Sequence, residues 1–425
     1  MVWRFFCLHR VLKSNQNRTI QHIVANGTEE NRPPVHTPTC HIPENMFMTP
    51  MQLPERCSLV ETTLREGEQF VHAHFTSDQR KEIAQALDAF GVEYLELTSP
   101  AASPQSARDL ATIAGLGLRA RVLTHTRCHL NDVKLAVENG AQGVNVLFAT
   151  SEQLRHVSHG RTFEQIIEQA QEVIEYLKPH NVEIRFSCED AFRTPLEDLL
   201  RIYDPITAMG VDRIGLADTV GIATPLQVAE VVKTVRERYS CGIEFHGHDD
   251  TGCAIANAFC AYMHGATHID VTVLGIGERN GIAPLGGFIA RLASLEPQRV
   301  EHYNLQLLPS LDHTIAQIVG VEIPFNNYIT GATAFSHKAG MHTKAVLADP
   351  KSYEALDPTM FGRTRTVAMG HRLTGWHAIA ERARELGIVL SEQQARAAAT
   401  RIKTMADEGP LQLGDIDELL YEYVE

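Results

Sequence analysis

Eight times between residues 57 and 298 a short apolar or β-branched run alternates with a longer stretch whose apolar residues recur at three- and four-residue intervals. The runs are CSLVET (57–62), VEYLELT (92–98), RARVLTH (119–125), GVNVLFA (143–149), VEIRFS (182–187), RIGLAD (213–218), IEFHGH (243–248) and HIDVTVLGI (268–276). Runs of that length bury as strands, and the intervening periodicity is that of amphipathic helices. SDQRKEIAQALDAFG, TFEQIIEQAQEVIEYLKPHN and TPLQVAEVVKTVRERY are examples, with Ser77, Thr162 and Thr224 as expected caps. Eight strand–helix repeats in roughly 240 residues is the count of a (β/α)8 barrel, the TIM-barrel form of the α/β class. A doubly wound open sheet is the alternative, but it usually opens on a glycine-rich phosphate turn. The first run here leads instead into TTLREGEQF. LGIGERNG has GxGxxxG spacing at the eighth run, so it reads as a strand-to-helix turn and not as a dinucleotide fingerprint.

The barrel is expected over 57–298. From 299 to 425 the pattern changes to a linker and a smaller mixed, mainly helical C-terminal region, with helices expected near 374–387 and 391–408. Residues 1–56 form an extension in which Arg4, Arg10, Lys13 and Arg18 precede the first acidic residue, Glu29. That polarity is consistent with a mitochondrial presequence; the other readings are a poorly ordered segment or a start placed upstream of Met46, Met48 or Met51. The expected location is intracellular, cytoplasmic or mitochondrial. The formal charge of -14 argues against nucleic acid or an anionic membrane as partner. No apolar run approaches the ~20 residues of a membrane span. The eight cysteines include no CxxC pair, which favours reduced thiols over disulfides or a thiolate metal site.

A barrel concentrates its chemistry at the C-terminal ends of its strands. Polar residues gather there in this sequence: Arg65 and Glu66 after the first run, His125 at the third, Arg185, Ser187 and Glu189 at the fifth, Asp218 and Thr219 at the sixth, His246 and His248 at the seventh, and Glu278, Arg279 and Asn280 after the eighth. Side chains two apart on a strand share a face, so His246 and His248 project together. With Glu66 they give two imidazoles and a carboxylate, a facial metal site with positions left for substrate oxygens; the alternative is two polar residues that end a strand. Asp249 and Asp250 either orient the imidazoles or cap the next helix. Arg185 is suited to gripping a carboxylate in bidentate fashion, unless it forms a structural ion pair with Glu183 or Glu189. Ser187 and Thr219 add neutral hydrogen bonds.

TTLREGEQ, HGHDDTGCAIANAFCAYMHGATHIDVTVLGIGERNG and FSHKAGMH together resemble the metal-dependent acyl-CoA condensing enzymes of the DRE-TIM metallolyase superfamily. Within it, LTSPAAS, RFSCEDAFR, GIGERNGI, IPFNNYITG and LTGW are similar to the homocitrate synthase family, over residues 57 to the end. The resemblance implies condensation of acetyl-CoA with 2-oxoglutarate, the first step of lysine biosynthesis by the α-aminoadipate route. It implies one divalent cation (zinc, manganese, magnesium or cobalt) on Glu66, His246 and His248. Arg65, Gln69, His125, Arg185, Ser187 and Thr219 then meet the oxo acid, and Glu189, His342 and Tyr353 move the acetyl proton. The last two belong to a C-terminal region that covers the neighbouring barrel in a homodimer. Two departures stand out: Glu61 replaces the aspartate common at the first strand's end, and Asn145 replaces an acidic residue of the fourth strand. The second bears on feedback inhibition by L-lysine, for whose ammonium Glu244 remains. A lyase on the same barrel and a non-catalytic binding protein are the competing readings.

Overall fold

Alternation within the apolar runs decides the architecture. The computed structural model describes residues 57–424, so the expectation for the N-terminal extension lies outside the described residues. The runs form β1 (Ser58–Glu61), β2 (Tyr94–Leu97), β3 (Arg121–Arg127), β4 (Gly143–Ala149), β5 (Glu183–Glu189), β6 (Arg213–Asp218), β7 (Gly242–Gly247) and β8 (His268–Val271). Each pairs in parallel with the next and β8 pairs with β1, so the sheet closes into a barrel and the open-sheet alternative is excluded. Val144, Val146 and Phe148 on β4, Ile184, Phe186 and Cys188 on β5, and Ile243 and Phe245 on β7 are buried in one apolar cluster with helix residues such as Ile166, Leu199 and Val232. Each such side chain contributes about 1.5–3 kcal/mol on burial. The intervening positions face the barrel axis.

The axis is charged. Barrel interiors are commonly filled by Val, Ile and Leu, but here Glu96, Asn145, Arg185, Arg213, Glu244 and Asp270 are all buried. Arg213 pairs with Glu183 at 2.8 Å and with Glu244 at 3.1 Å. Arg185 pairs with Glu244 and lies 3.6 Å from Glu96 and 3.8 Å from Asp270. Buried charge is tolerable only when partnered in this way.

Thr162 and Thr224 cap the helices Phe163–Leu177 and Pro225–Arg238, each in a reciprocal box with the glutamine three residues on. The helix Ser77–Phe90 is capped by Thr76, not by Ser77 as expected. Of two adjacent hydroxyl residues only Thr76 has a glutamine, Gln79, in the position that completes the box. Ser77 instead bonds Asp109 at 2.6 Å.

Beyond the barrel, the helix Leu308–Val319 sends Leu308, Leu311 and Ile315 into the main core. β9 (Ser336–His337) and β10 (Thr366–Val367) pair in parallel. The helices Trp376–Glu385 and Glu392–Glu408 lie where the periodicity places them, and with Leu413–Tyr421 they bury a separate core around Ile379, Ile402, Ile416 and Leu420. The last helix is absent from the sequence expectation because its 9 residues give few turns of periodicity. Among the described residues no helix is long and apolar enough to cross a membrane.

Candidate metal centre and substrate pocket

Glu66 stands in the tight turn after β1, where the N–H groups of Arg65, Glu66 and Gly67 all bond the Thr62 carbonyl. Its Oε1 accepts the Glu278 N–H at 2.8 Å and its Oε2 accepts Arg65 Nη1 at 2.6 Å. A Cβ at Gly277 would lie 2.6 Å from that Oε1, so the glycines of GIGERNG let the last loop close over the carboxylate. From β7, His246 Nε2 comes within 3.8 Å of Glu66 Oε2 and 3.3 Å of His248 Nε2. Donor atoms of the three residues lie within 4.8 Å of one another.

The protonation states suit a cation. His246 Nδ1 meets Asp270 Oδ2 at 2.8 Å. A carboxylate only accepts, so Nδ1 carries the proton and Nε2 turns its lone pair inward. Burial alone would raise the Glu66 carboxyl, but Arg65, His246 and His248 hold it at about 2, ionised. Burial, then His246, push His248 down to about 4, neutral. One anionic oxygen from the β1 turn and two ring nitrogens from the end of β7 converge in a set that fits a divalent cation.

The imidazole is oriented by Asp270 and not by the two aspartates of HGHDD. Asp249 accepts the Ala254 N–H at 2.8 Å at the start of the next helix, and Asp250 pairs with Arg279 at 2.8 Å. Alternation in HIDV points Asp270 inward, with Ile269 and Val271 buried outward, but its place beside His246 comes from the strand register, in which Phe245 pairs with Ile269. Asp270→Asn is expected to weaken metal binding by about 10–100-fold, read by competition with a chelator. Unaltered affinity in the folded variant would remove Asp270 from this role.

Next to the trio is a cavity of about 220 Å³ that brings together Arg65, Gln69, His125, Arg185, Ser187, Glu189 and Thr219 with Glu66, His246 and His248. Every barrel residue that the family resemblance assigns to the site is therefore in one place, whereas Asp218 and Asn280 do not line the cavity and Asp218 accepts the Ile222 and Ala223 N–H groups. The homocitrate synthase of Schizosaccharomyces pombe mitochondria is 50% identical over 400 residues, 94% of this chain and 95% of that protein. An HMGL-like family model matches residues 56–315 and a homocitrate synthase post-HMGL domain-like model residues 329–410. The chain belongs to the homocitrate synthase family. The cytosolic isozyme of Saccharomyces cerevisiae is 50% identical over 366 residues, 86% of each chain. At the level of fold alone, a Bacillus subtilis HMG-CoA lyase crystal structure has a TM-score of 0.57 and 21% identity, covering 64% of this chain and 96% of its own.

Within this homocitrate synthase family member the polar groups of the cavity are specifically engaged. Arg185 pairs with Glu244 and not with Glu183 or Glu189, the partners an ion-pair reading of the sequence names; Glu183 serves Arg213 and Arg121. Thr219 Oγ1 accepts the Asp190 N–H at 2.8 Å, leaving its proton to donate. Burial, then Asp190, raise the Glu189 carboxyl above its usual value. Glu61, buried under the turn, is raised by that burial to about 7 while accepting the Thr63 and Val273 N–H groups.

His342 and Tyr353 are elsewhere. Their ring centroids lie 4.3 Å apart with the planes tilted by 31°, Tyr353 is 48% exposed, and neither lines the cavity. One chain does not assemble them with Glu189. The neighbouring Glu354 is held by His337 at 2.9 Å and by Arg365 at 2.5 Å, so His337 of FSHKAGMH acts as a local anchor.

Proposed function

We propose that this chain condenses acetyl-CoA with 2-oxoglutarate to give homocitrate and CoA, the first step of lysine biosynthesis by the α-aminoadipate route. The observation that carries the reading is the presence, in one cavity, of a metal-fitting trio and a buried guanidinium, Arg185. A divalent cation on Glu66, His246 and His248 (zinc, manganese, magnesium or cobalt) supplies Lewis acidity at the keto oxygen. Arg185 receives the distal carboxylate of the acid, with Ser187 beside it. His125, Thr219 and Gln69 hydrogen-bond its near end. Glu189, together with His342 and Tyr353 from a second copy of the chain, removes a methyl proton from acetyl-CoA. The resulting enolate carbon attacks C2, and Arg65 stabilises the charge gathering on the former keto oxygen until it is protonated. Water then cleaves the thioester.

The test is steady-state CoA release from the metal-replete protein with 2-oxoglutarate, 2-oxoisovalerate or pyruvate. Preference for 2-oxoisovalerate would take Arg185 out of its role. Acetyl-CoA released from a hydroxyacyl-CoA would favour a lyase, and a folded sample with no turnover a binding protein. L-Lysine is the proposed feedback inhibitor, competing with 2-oxoglutarate and offering its ammonium to Glu244. Asn145 weakens that site by the charge it lacks. The names of the relatives support a mitochondrial or cytoplasmic location, and the absence of His342 and Tyr353 from the lining of the cavity is what motivates a homodimer.

A further inference from the structure

Across β5, β4 and β3 runs an unbroken row of hydrogen bonds. Arg185 Nε meets Ser187 Oγ at 3.1 Å, Ser187 Oγ meets Asn145 Oδ1 at 2.9 Å, and Asn145 Nδ2 meets His125 Nδ1 at 3.1 Å. His125, Asn145 and Arg185 are also direct neighbours in the strand register.

The row has a polarity, set by the Asn145 amide, whose Oδ1 faces Ser187 and whose Nδ2 faces His125. A guanidinium Nε can only donate. Ser187 Oγ accepts there and has a single proton to give, which goes to the Asn145 oxygen. With that oxygen fixed on the Ser187 side, the NH2 of Asn145 must face His125. A ring nitrogen that receives an N–H presents a lone pair, so Nδ1 is bare. Burial, then the Arg65 guanidinium, push His125 down to about 3, so the ring is neutral. Its one proton is therefore on Nε2, which has no hydrogen-bond partner among the described residues and belongs to a ring that lines the cavity.

The surroundings keep the row in place. Asn145 is 2% and Ser187 5% exposed, which leaves little room for water to scramble the donors. Opposite Ser187 in the register is Gly215, where a Cβ would stand 2.0 Å from Ser187 Oγ. Glycine in β6 is what gives the hydroxyl its space.

We propose that Asn145 is a positioning residue that, with Ser187, holds His125 in the Nε2–H tautomer, so that His125 donates a hydrogen bond to an oxygen of the bound oxo acid and does not act as a base. The identity of that acid rests on the function proposed above; the tautomer does not. An aspartate at 145 can only accept, so it would draw a proton onto Nδ1, and Nε2 could then donate to the substrate only if the ring took up a second proton.

The test uses the full-length, zinc-loaded protein labelled with ¹⁵N-histidine. Long-range proton–nitrogen correlations report which ring nitrogen is protonated, and the His125→Gln variant assigns the signal. Nε2–H is expected in the unsubstituted protein and Nδ1–H in Asn145→Asp. Asn145→Leu is expected to raise the KM for 2-oxoglutarate about three- to tenfold, the scale of one hydrogen bond, with the KM for acetyl-CoA unchanged. Ser187→Ala, which keeps Asn145 but frees its amide, should give a mixture of tautomers and a smaller KM effect. An Nδ1–H ring in the unsubstituted protein, or one tautomer in both it and Asn145→Asp, overturns the proposal. So does an unchanged KM in a folded Asn145→Leu variant. Should 2-oxoglutarate prove not to be a substrate, the spectra still decide the tautomer, so the two readings fail separately.

Discussion

Glu66→Gln is expected to leave a folded protein that retains little divalent metal and turns over at least about a thousandfold more slowly, the loss of several kcal/mol of electrophilic stabilisation. The substitution removes the only anionic donor of the trio and keeps its volume. It also disturbs a second arrangement: both Glu66 oxygens accept protons, one from Glu278 N–H and one from Arg65, and an amide nitrogen can accept from neither. Elemental analysis after dialysis and CoA release give the two readouts. Full metal content with near-normal turnover would end the metal-centre reading. The same variant tests the proposed exchange of His342 between copies. Glu66→Gln and His342→Ala, each inactive alone, should regain activity when unfolded and refolded together, because a mixed dimer contains one intact site. In a statistical mixture that is roughly a quarter of all sites. A mixture as inactive as its parents would confine His342 to its own chain.

Arg185→Ala is expected to raise the KM for 2-oxoglutarate on the order of a hundredfold while metal content stays unchanged, from losing about 3 kcal/mol at a desolvated charge pair. The variant should also be less stable by about 3 kcal/mol, because Glu244 loses one of its two guanidinium partners in a buried site. Thermal denaturation separates the two effects: a stability loss with an unaltered KM would make Arg185 a structural residue only. Arg185→Lys should recover stability better than KM, since an ammonium restores charge without the planar fork.

Much of this could be read from the chain itself, for a geometrical reason. Period-two alternation locates strands, and β4 and β6 fall on the residues expected. The misses are at ends governed by contacts: β3 runs on to Arg127, and β8 stops at Val271 because a short turn with Leu274 and Gly275 at positive φ follows. The same arithmetic finds site residues that share a strand, such as His246 with His248 or Arg185 with Ser187. It does not find partners on different strands, because the stagger between neighbours is set by barrel closure. Asp270 beside His246, Glu96 beside Arg65 and Glu244 between Arg185 and Arg213 were hidden for that reason. Asn145 could be noticed as an unusual residue but not as a link between Ser187 and His125.

The line of alternating charges from Arg185 through Glu244 and Arg213 to Glu183 and Arg121 extends toward the rim opposite the cavity. Reshaping this protein for an acid with an uncharged tail is therefore not a one-position exercise, since every cation exchanged near the mouth strands an anion underneath. Selection for a new substrate would have to recode several strands at once, and harmless-looking drift on the far rim can shift what the mouth accepts.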